Sequence, residues 1–237
     1  FEPLLKHLNG IHTIGISPHG SLHYLSFATL YNGKSFLLND YSMFYVPSAA
    51  VLEYTLNRRT ARPYRSPKVL AVGNPDLGDP ILDLPFAEQE VGAIRWDFPD
   101  VEVLTRKNAT KQWVIDNISD FDIIHIASHG EFDPVNPLLS AIKLASPADK
   151  NFTKSDFDGN LNAGEIFGLK INADLVFLSA CQTGLGKIND GDDVVGLNRS
   201  FFYAGTHPVI SSLWRVTHVS TAALIITLYL IFINQYK

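Results

Sequence analysis

The chain has 237 residues, enough for one domain with a real core, and its 46% apolar and 18% charged residues match an ordinary soluble globular protein. A formal net charge of −5 gives no basic footprint for direct nucleic-acid binding. One cysteine excludes an intrachain disulfide scaffold. Asn-x-Ser/Thr sequons begin at Asn108, Asn117, Asn151 and Asn198, but without a secretory signal they carry little meaning.

The chain opens on Phe1, and its first residues do not read as a signal peptide. The expectation is a piece of a longer protein. Short apolar runs ending in small or turn-forming residues then recur in chain order: His12–Ile16, Lys68–Val72, Val101–Leu104, Phe121–Ala127, Asp174–Ala180 and Pro208–Leu213. Stretches with helical spacing lie between them. They are Phe86–Ile94, Lys111–Ile118 with Thr110 as its cap, and Asp193–Ala204 ended by Gly205 at C′. Strands alternating with helices predict an α/β fold built on a mostly parallel sheet. Ile123–Ala127 and Leu175–Leu178 are continuously apolar, the pattern of strands buried on both faces. The polar stretch Ser146–Gly159 reads as a surface loop, either a long connection or a cleavage or partner-contact segment. Ala222–Ile233 is almost wholly apolar but shorter than the roughly 20 residues of a bilayer span. It is expected to be a core or interface helix, and no membrane span is predicted.

Two segments carry chemistry. Phe121–Gly130 and Asp174–Gly184 are each a buried strand that ends in small residues and then presents a reactive side chain, His129 in one and Cys181 in the other. In a parallel sheet both emerge at the carboxyl edge, where open α/β sheets place their sites. A thiol at its ordinary pKa is only a few per cent thiolate at neutral pH and needs a neighbouring base. A histidine fills that role and can also protonate a leaving amine. Gly130 lets a substrate carbonyl approach the backbone, and the N–H groups of Gly130 and Cys181 are candidate oxyanion donors. Ser128, Asp190 and Asp192 are candidate substrate-binding residues. The acidic loop around Asp190, Asp192 and Asp193 either attracts a basic residue just before the scissile bond or is simply solvated.

Each signal has a plainer reading. A lone cysteine at the end of a buried strand is ordinarily an inert core residue, and a lone Ser-His-Gly is a common turn. His125, mid-strand, reads as a packing histidine. His7, His12, His19, His23, His207 and His218 show no ligand spacing, so no metal site is expected. No His-Glu-x-x-His or Gly-x-Ser-x-Gly occurs. A phosphate loop at Gly184-Leu185-Gly186-Lys187 would want glycine at Cys181 and Ser or Thr at Ile188, which disfavours nucleotide binding.

The segments Asp122–Gly130 and Leu175–Gly186 resemble the two signature blocks of CHAT domains, caspase-like proteases often attached to tetratricopeptide repeats. Ile16–Leu30 resembles the family's early hairpin, and Tyr45–Ala49, Val72–Pro75, Leu84–Val91, Gly191–Leu197 and Ser211–Trp214 follow in the family's order. Ser26, Asp193 and His218 depart from its usual residues, and the chain stops at Lys237 where members usually continue. The resemblance implies one domain over residues 1–237, a fragment of a longer multidomain protein and short at its C-terminus. Its implied fold is a central, mostly parallel sheet with helices on both sides. The implied activity is cofactor-free hydrolysis of protein substrates through a thioester, with His129 and Cys181 as the dyad. It also implies a bacterial, cytoplasmic protein switched on by a partner domain or complex, such as tetratricopeptide repeats or a sensor. The alternative is a non-catalytic interaction or regulatory module on the same fold.

Overall fold

Apolar runs bounded by turn residues become the strands of the protein, and its computed structural model describes residues 2–58, 66–96, 98–133, 135–146, 159–179, 187–188, 194–206, 208–212, 223–229 and 231. The chain divides into two units, Phe1–Arg62 with Ile188–Val194, and Pro63–Lys187 with Val195–Lys237.

In the first unit β1 (Thr13–Ile16) pairs in parallel with β2 (Ser42–Tyr45), Thr13 opposite Ser42 and Ile16 opposite Tyr45. The unit also holds α1 (Glu2–Leu5), α2 (Leu37–Asp40) and α3 (Ala49–Arg58). The expected hairpin over Ile16–Leu30 is not formed. Gly20–Tyr24 and Phe27–Thr29 are turns of 3-10 helix instead. Pro18 has no N–H to give a ladder, Gly20 turns at φ 55°, and β1 finds its partner in β2.

The second unit is built on a five-stranded parallel sheet in the order β12-β9-β5-β3-β4. These strands are β3 (Lys68–Pro75), β4 (Asp100–Arg106), β5 (Ile123–Ala127), β9 (Leu175–Ser179) and β12 (Val209–Ser211), one for each apolar run expected there. Side chains alternate between two buried faces. Leu70, Val72, Ile124, Ile126, Val176 and Leu178 form one core with α5 (Lys111–Asn117), α6 (Ala163–Phe167) and α7 (Leu197–Tyr203). Val69, Ala71, Ile123 and Phe177 form the other with α4 (Pro85–Ile94), Phe98, Ile225 and Tyr229. Every residue of β5 is buried, and each large aliphatic side chain withdrawn from water contributes about 1.5–3 kcal/mol. With helices over both faces, this is the α/β, caspase-like architecture expected from the sequence.

Local chemistry sets the helix limits. Thr110 caps α5 by accepting the Trp113 N–H at 3.2 Å. In α6, Asn162 and Glu165 exchange side-chain-to-backbone bonds of 2.9 Å, a complete capping box. The helix expected from Asp193 starts only at Leu197, because Val194–Val195 is extended and Gly196 has φ −177°. It ends as predicted at Gly205, with φ 110°. There the Gly205 and Thr206 N–H groups reach the Phe202 and Phe201 carbonyls, each at 3.1 Å. α4 lies directly on β3 because Gly73 has no side chain. A Cβ there would meet the Ala87 carbonyl oxygen at 2.6 Å.

Between β5 and β9 the chain makes an antiparallel sheet of β6 (Gly130–Glu131), β7 (Ala141–Lys143) and β8 (Asn160–Asn162). Two-residue strands β10 (Lys187–Ile188) and β11 (Val194–Val195) follow β9. Residues 147–158 of the polar stretch lie outside the described residues. Within the expected terminal helix, residues 223–229 are helical, with Ile225 and Tyr229 in the core and Leu224 exposed. Among the described residues no helix is long and apolar enough to cross a membrane.

Candidate active site

β5 and β9 are neighbours and parallel, with Ile123 opposite Leu175 and Ala127 opposite Ser179. The crevice between their carboxyl ends is where this sheet can present side chains from both strands. Ser128 and His129 follow β5 directly. Ser128 is buried, and its hydroxyl donates to the Lys143 carbonyl. The Lys143 N–H donates to the His129 carbonyl at 2.9 Å. The turn is thus sewn to β7, and Gly130 opens β6 opposite Ile142.

His129 is half-buried. Its Nε2 lies 2.9 Å from the Leu82 carbonyl oxygen. A carbonyl only accepts, so Nε2 carries the proton and the neutral ring keeps its lone pair on Nδ1. Among the described residues Nε2 is the ring nitrogen with a partner. Leu82 closes a 3-10 turn over Pro80–Leu82, capped by Asp79, whose Oδ1 accepts the Ile81 N–H at 3.0 Å. This contact orients the imidazole and leaves Nδ1 as its basic nitrogen, which is what general-base chemistry requires.

His125 is placed as the sequence suggests, wholly inside the core. Its Nε2 lies 2.7 Å from Glu90 Oε1, and its Nδ1 lies 3.2 Å from the Tyr229 hydroxyl. The ring stacks on Phe177 at 5.2 Å between centroids. The other Glu90 oxygen accepts from the Ser179 hydroxyl at 3.4 Å, so one buried carboxylate ties α4 to both β5 and β9. Burial first, and the Glu90 charge second, push the Tyr229 phenol above its ordinary range. Glu90 and Tyr229 escaped the sequence reading. The signal for Glu90 was its place on the apolar stripe Ala87, Val91, Ile94. For Tyr229 it was a polar tip within an apolar run, one turn after Ile225.

Of the other candidates, Cys181, Asp190 and Asp192 lie outside the described residues. Among the described residues no group of three or more His, Cys, Asp or Glu gathers to hold a metal.

The family model of the CHAT domain matches residues 1–234. No curated protein matches the chain. Among solved structures, the chain is similar to the crystal structure of protein GSU0716 from Geobacter sulfurreducens, at 21% sequence identity and a TM-score of 0.32. That match covers 71% of this chain and 64% of the other, so the chain spans less than two thirds of that protein.

Proposed function

The chain belongs to the CHAT domain family of caspase-like proteases, and on that footing we propose that it is a cysteine endopeptidase with His129 and Cys181 as its dyad. One observation carries the reading. Ala127 and Ser179 are register partners on adjacent parallel strands, and His129 and Cys181 each stand two positions further on. Equal offsets from paired residues favour side chains that meet at one sheet edge.

In this mechanism Nδ1 of His129 takes the proton from the Cys181 thiol, and the thiolate attacks the peptide carbonyl carbon. The Gly130 and Cys181 N–H groups hold the oxyanion. The imidazolium returns its proton to the leaving nitrogen, the C–N bond breaks and a thioester remains. Water, deprotonated by the same imidazole, then releases the acid and the free thiol. No cofactor enters. The substrate is a protein, and a partner domain or complex switches the site on. Asp190 and Asp192 favour a basic residue before the scissile bond, a preference that profiling with a peptide library checks.

Cys181→Ala in the intact, activated protein should lower cleavage at least about 10³-fold while leaving the melting temperature unchanged. A peptide electrophile should label Cys181 selectively, and His129→Ala should suppress that labelling. Cleavage by Cys181→Ala at the wild-type rate would end the proposal. Absence of labelling in every state, with partner included, would point to a non-catalytic module.

A further inference from the structure

Two non-glycine residues among those described have left-handed backbone, Asn74 with φ 48° and Arg106 with φ 52°. They sit side by side at the carboxyl ends of β3 and β4, where the register slips so that Pro75 pairs with Arg106. Strained backbone persists where surrounding contacts over-determine it, and it gathers at functional sites. Both side chains here reach the same short segment, the one that offers its carbonyl to His129.

Asn74 is 3% exposed. Its Oδ1 accepts the Leu84 N–H at 2.7 Å, and its Nδ2 donates to Glu88 Oε2 at 2.9 Å. A backbone N–H on one side and a carboxylate on the other leave the amide one orientation. Next along the chain, Asp83 Oδ1 accepts from Arg106 Nη1 at 2.7 Å. The Asp76 N–H returns to the Arg106 carbonyl at 3.1 Å. With Asp79 capping the far side, the turn Pro80–Leu82 is tethered at both ends.

Those tethers matter because burial does not hold the turn. Ile81 is 89% exposed and Leu82 37% exposed. A carbonyl on such a turn selects one imidazole tautomer only if something polar keeps it in place. The Arg106–Asp83 pair is partly exposed and contributes modestly. The Asn74 bond to the Leu84 N–H is buried, two positions after Leu82, and the bond to Glu88 is partly buried.

We infer that Asn74, its amide pinned by Glu88, is a positioning residue for His129. It fixes the Leu82 carbonyl on Nε2 and so keeps the lone pair on Nδ1. The catalytic consequence rests on the protease reading above; the tautomer does not.

The test is histidine-selective ¹⁵N labelling of the intact protein at pH 8, with His129 assigned by the signal lost in His129→Gln. Wild-type His129 should be predominantly the Nε2–H tautomer. Asn74→Gly relieves the backbone strain but removes both hydrogen bonds, and it should give a mixture of tautomers. Labelling of Cys181 by an electrophile should slow by about 10- to 100-fold in the same variant. Asn74→Asp with Glu88→Gln reverses the polarity of one bond and keeps the other, and it should restore the wild-type tautomer. If Asn74→Gly folds poorly, Glu88→Ala at a half-exposed helix position gives the same readout, with a partial shift expected. An unchanged tautomer in the folded variant overturns the inference, whatever the enzyme does. A tautomer shift in a protein whose wild type never uses Cys181 leaves the inference standing and ends the protease reading instead.

Discussion

His125 sits in the middle of β5 and His129 just past its end, and they have opposite surroundings. His125 is sealed in the core with both ring nitrogens engaged and a buried carboxylate beside it. His129 is half-buried, with Nε2 on a backbone carbonyl. A fully satisfied, desolvated imidazole can stabilise the fold, but it has no nitrogen to lend a substrate. A partly exposed ring with one nitrogen fixed has both orientation and spare basicity. Four positions along the chain separate a sealed imidazole from a partly exposed one.

The sharpest way to break that division is to delete each ring in turn. His125→Ala leaves Glu90 a buried carboxylate without its nitrogen partner, and loss of one member of a buried pair costs about 3–5 kcal/mol. For a domain of this size that is a fall in melting temperature of roughly 6–20 °C. His129→Ala removes a single hydrogen bond near the surface, at a cost of about 0.5–1.5 kcal/mol, yet should abolish Cys181-dependent cleavage. Thermal melts and cleavage assays on both variants check the pair. Similar melting curves for the two would show that both histidines are structural.

A smaller effect should touch both sites at once. Gly73 lets α4 rest on β3, and α4 carries Glu90 to His125 while its entry segment carries Leu82 to His129. Gly73→Ala places a Cβ 2.6 Å from the Ala87 carbonyl and from a Val91 methyl, so the helix must shift. The expected cost is about 1–3 kcal/mol. The ¹⁵N signals of both imidazoles should move together. A change confined to His125 would mean that the turn before α4 is held independently of the helix.

The sheet was legible because its strands are continuous apolar runs bounded by turn residues, the pattern of doubly buried strands seen at Ile123–Ala127 and Leu175–Leu178. The caps Thr110 and Gly205 were legible because capping is local chemistry. His129 was legible as a strand-end residue. The clamp behind it was not. Leu82 acts through its carbonyl, which every residue has, and Asn74 acts through an amide whose partners, Leu84 and Glu88, lie 10 and 14 positions away. Glu90 meets His125 across 35 positions and Tyr229 meets it across 104, pairings that only the folded sheet brings about. The expected hairpin over Ile16–Leu30 failed for a related reason, since β1 pairs with the more distant β2 rather than with its neighbour.

The least disruptive probe of the buried side is Tyr229→Phe. It removes the hydroxyl that lies 3.2 Å from His125 Nδ1 and keeps the ring that packs edge-on against Phe98 at 5.8 Å. Near neutral pH the loss should be about 0.5–1.5 kcal/mol. The alkaline side distinguishes burial from packing. In the unfolded chain the phenol titrates near its ordinary value of about 10. In the native state burial and Glu90 hold it higher. Above about pH 10 the unfolded state therefore binds fewer protons than the native one, and native stability falls as pH rises. The contribution is complete below that value and is lost progressively beyond it. Phenylalanine has no such proton, so the advantage of wild type over Tyr229→Phe should shrink between about pH 9 and 11 in urea titrations. A difference that stayed constant across that window would mean that the phenol reaches water. His125 would then be no more sealed than His129, and the contrast between them would have to rest on hydrogen bonding alone.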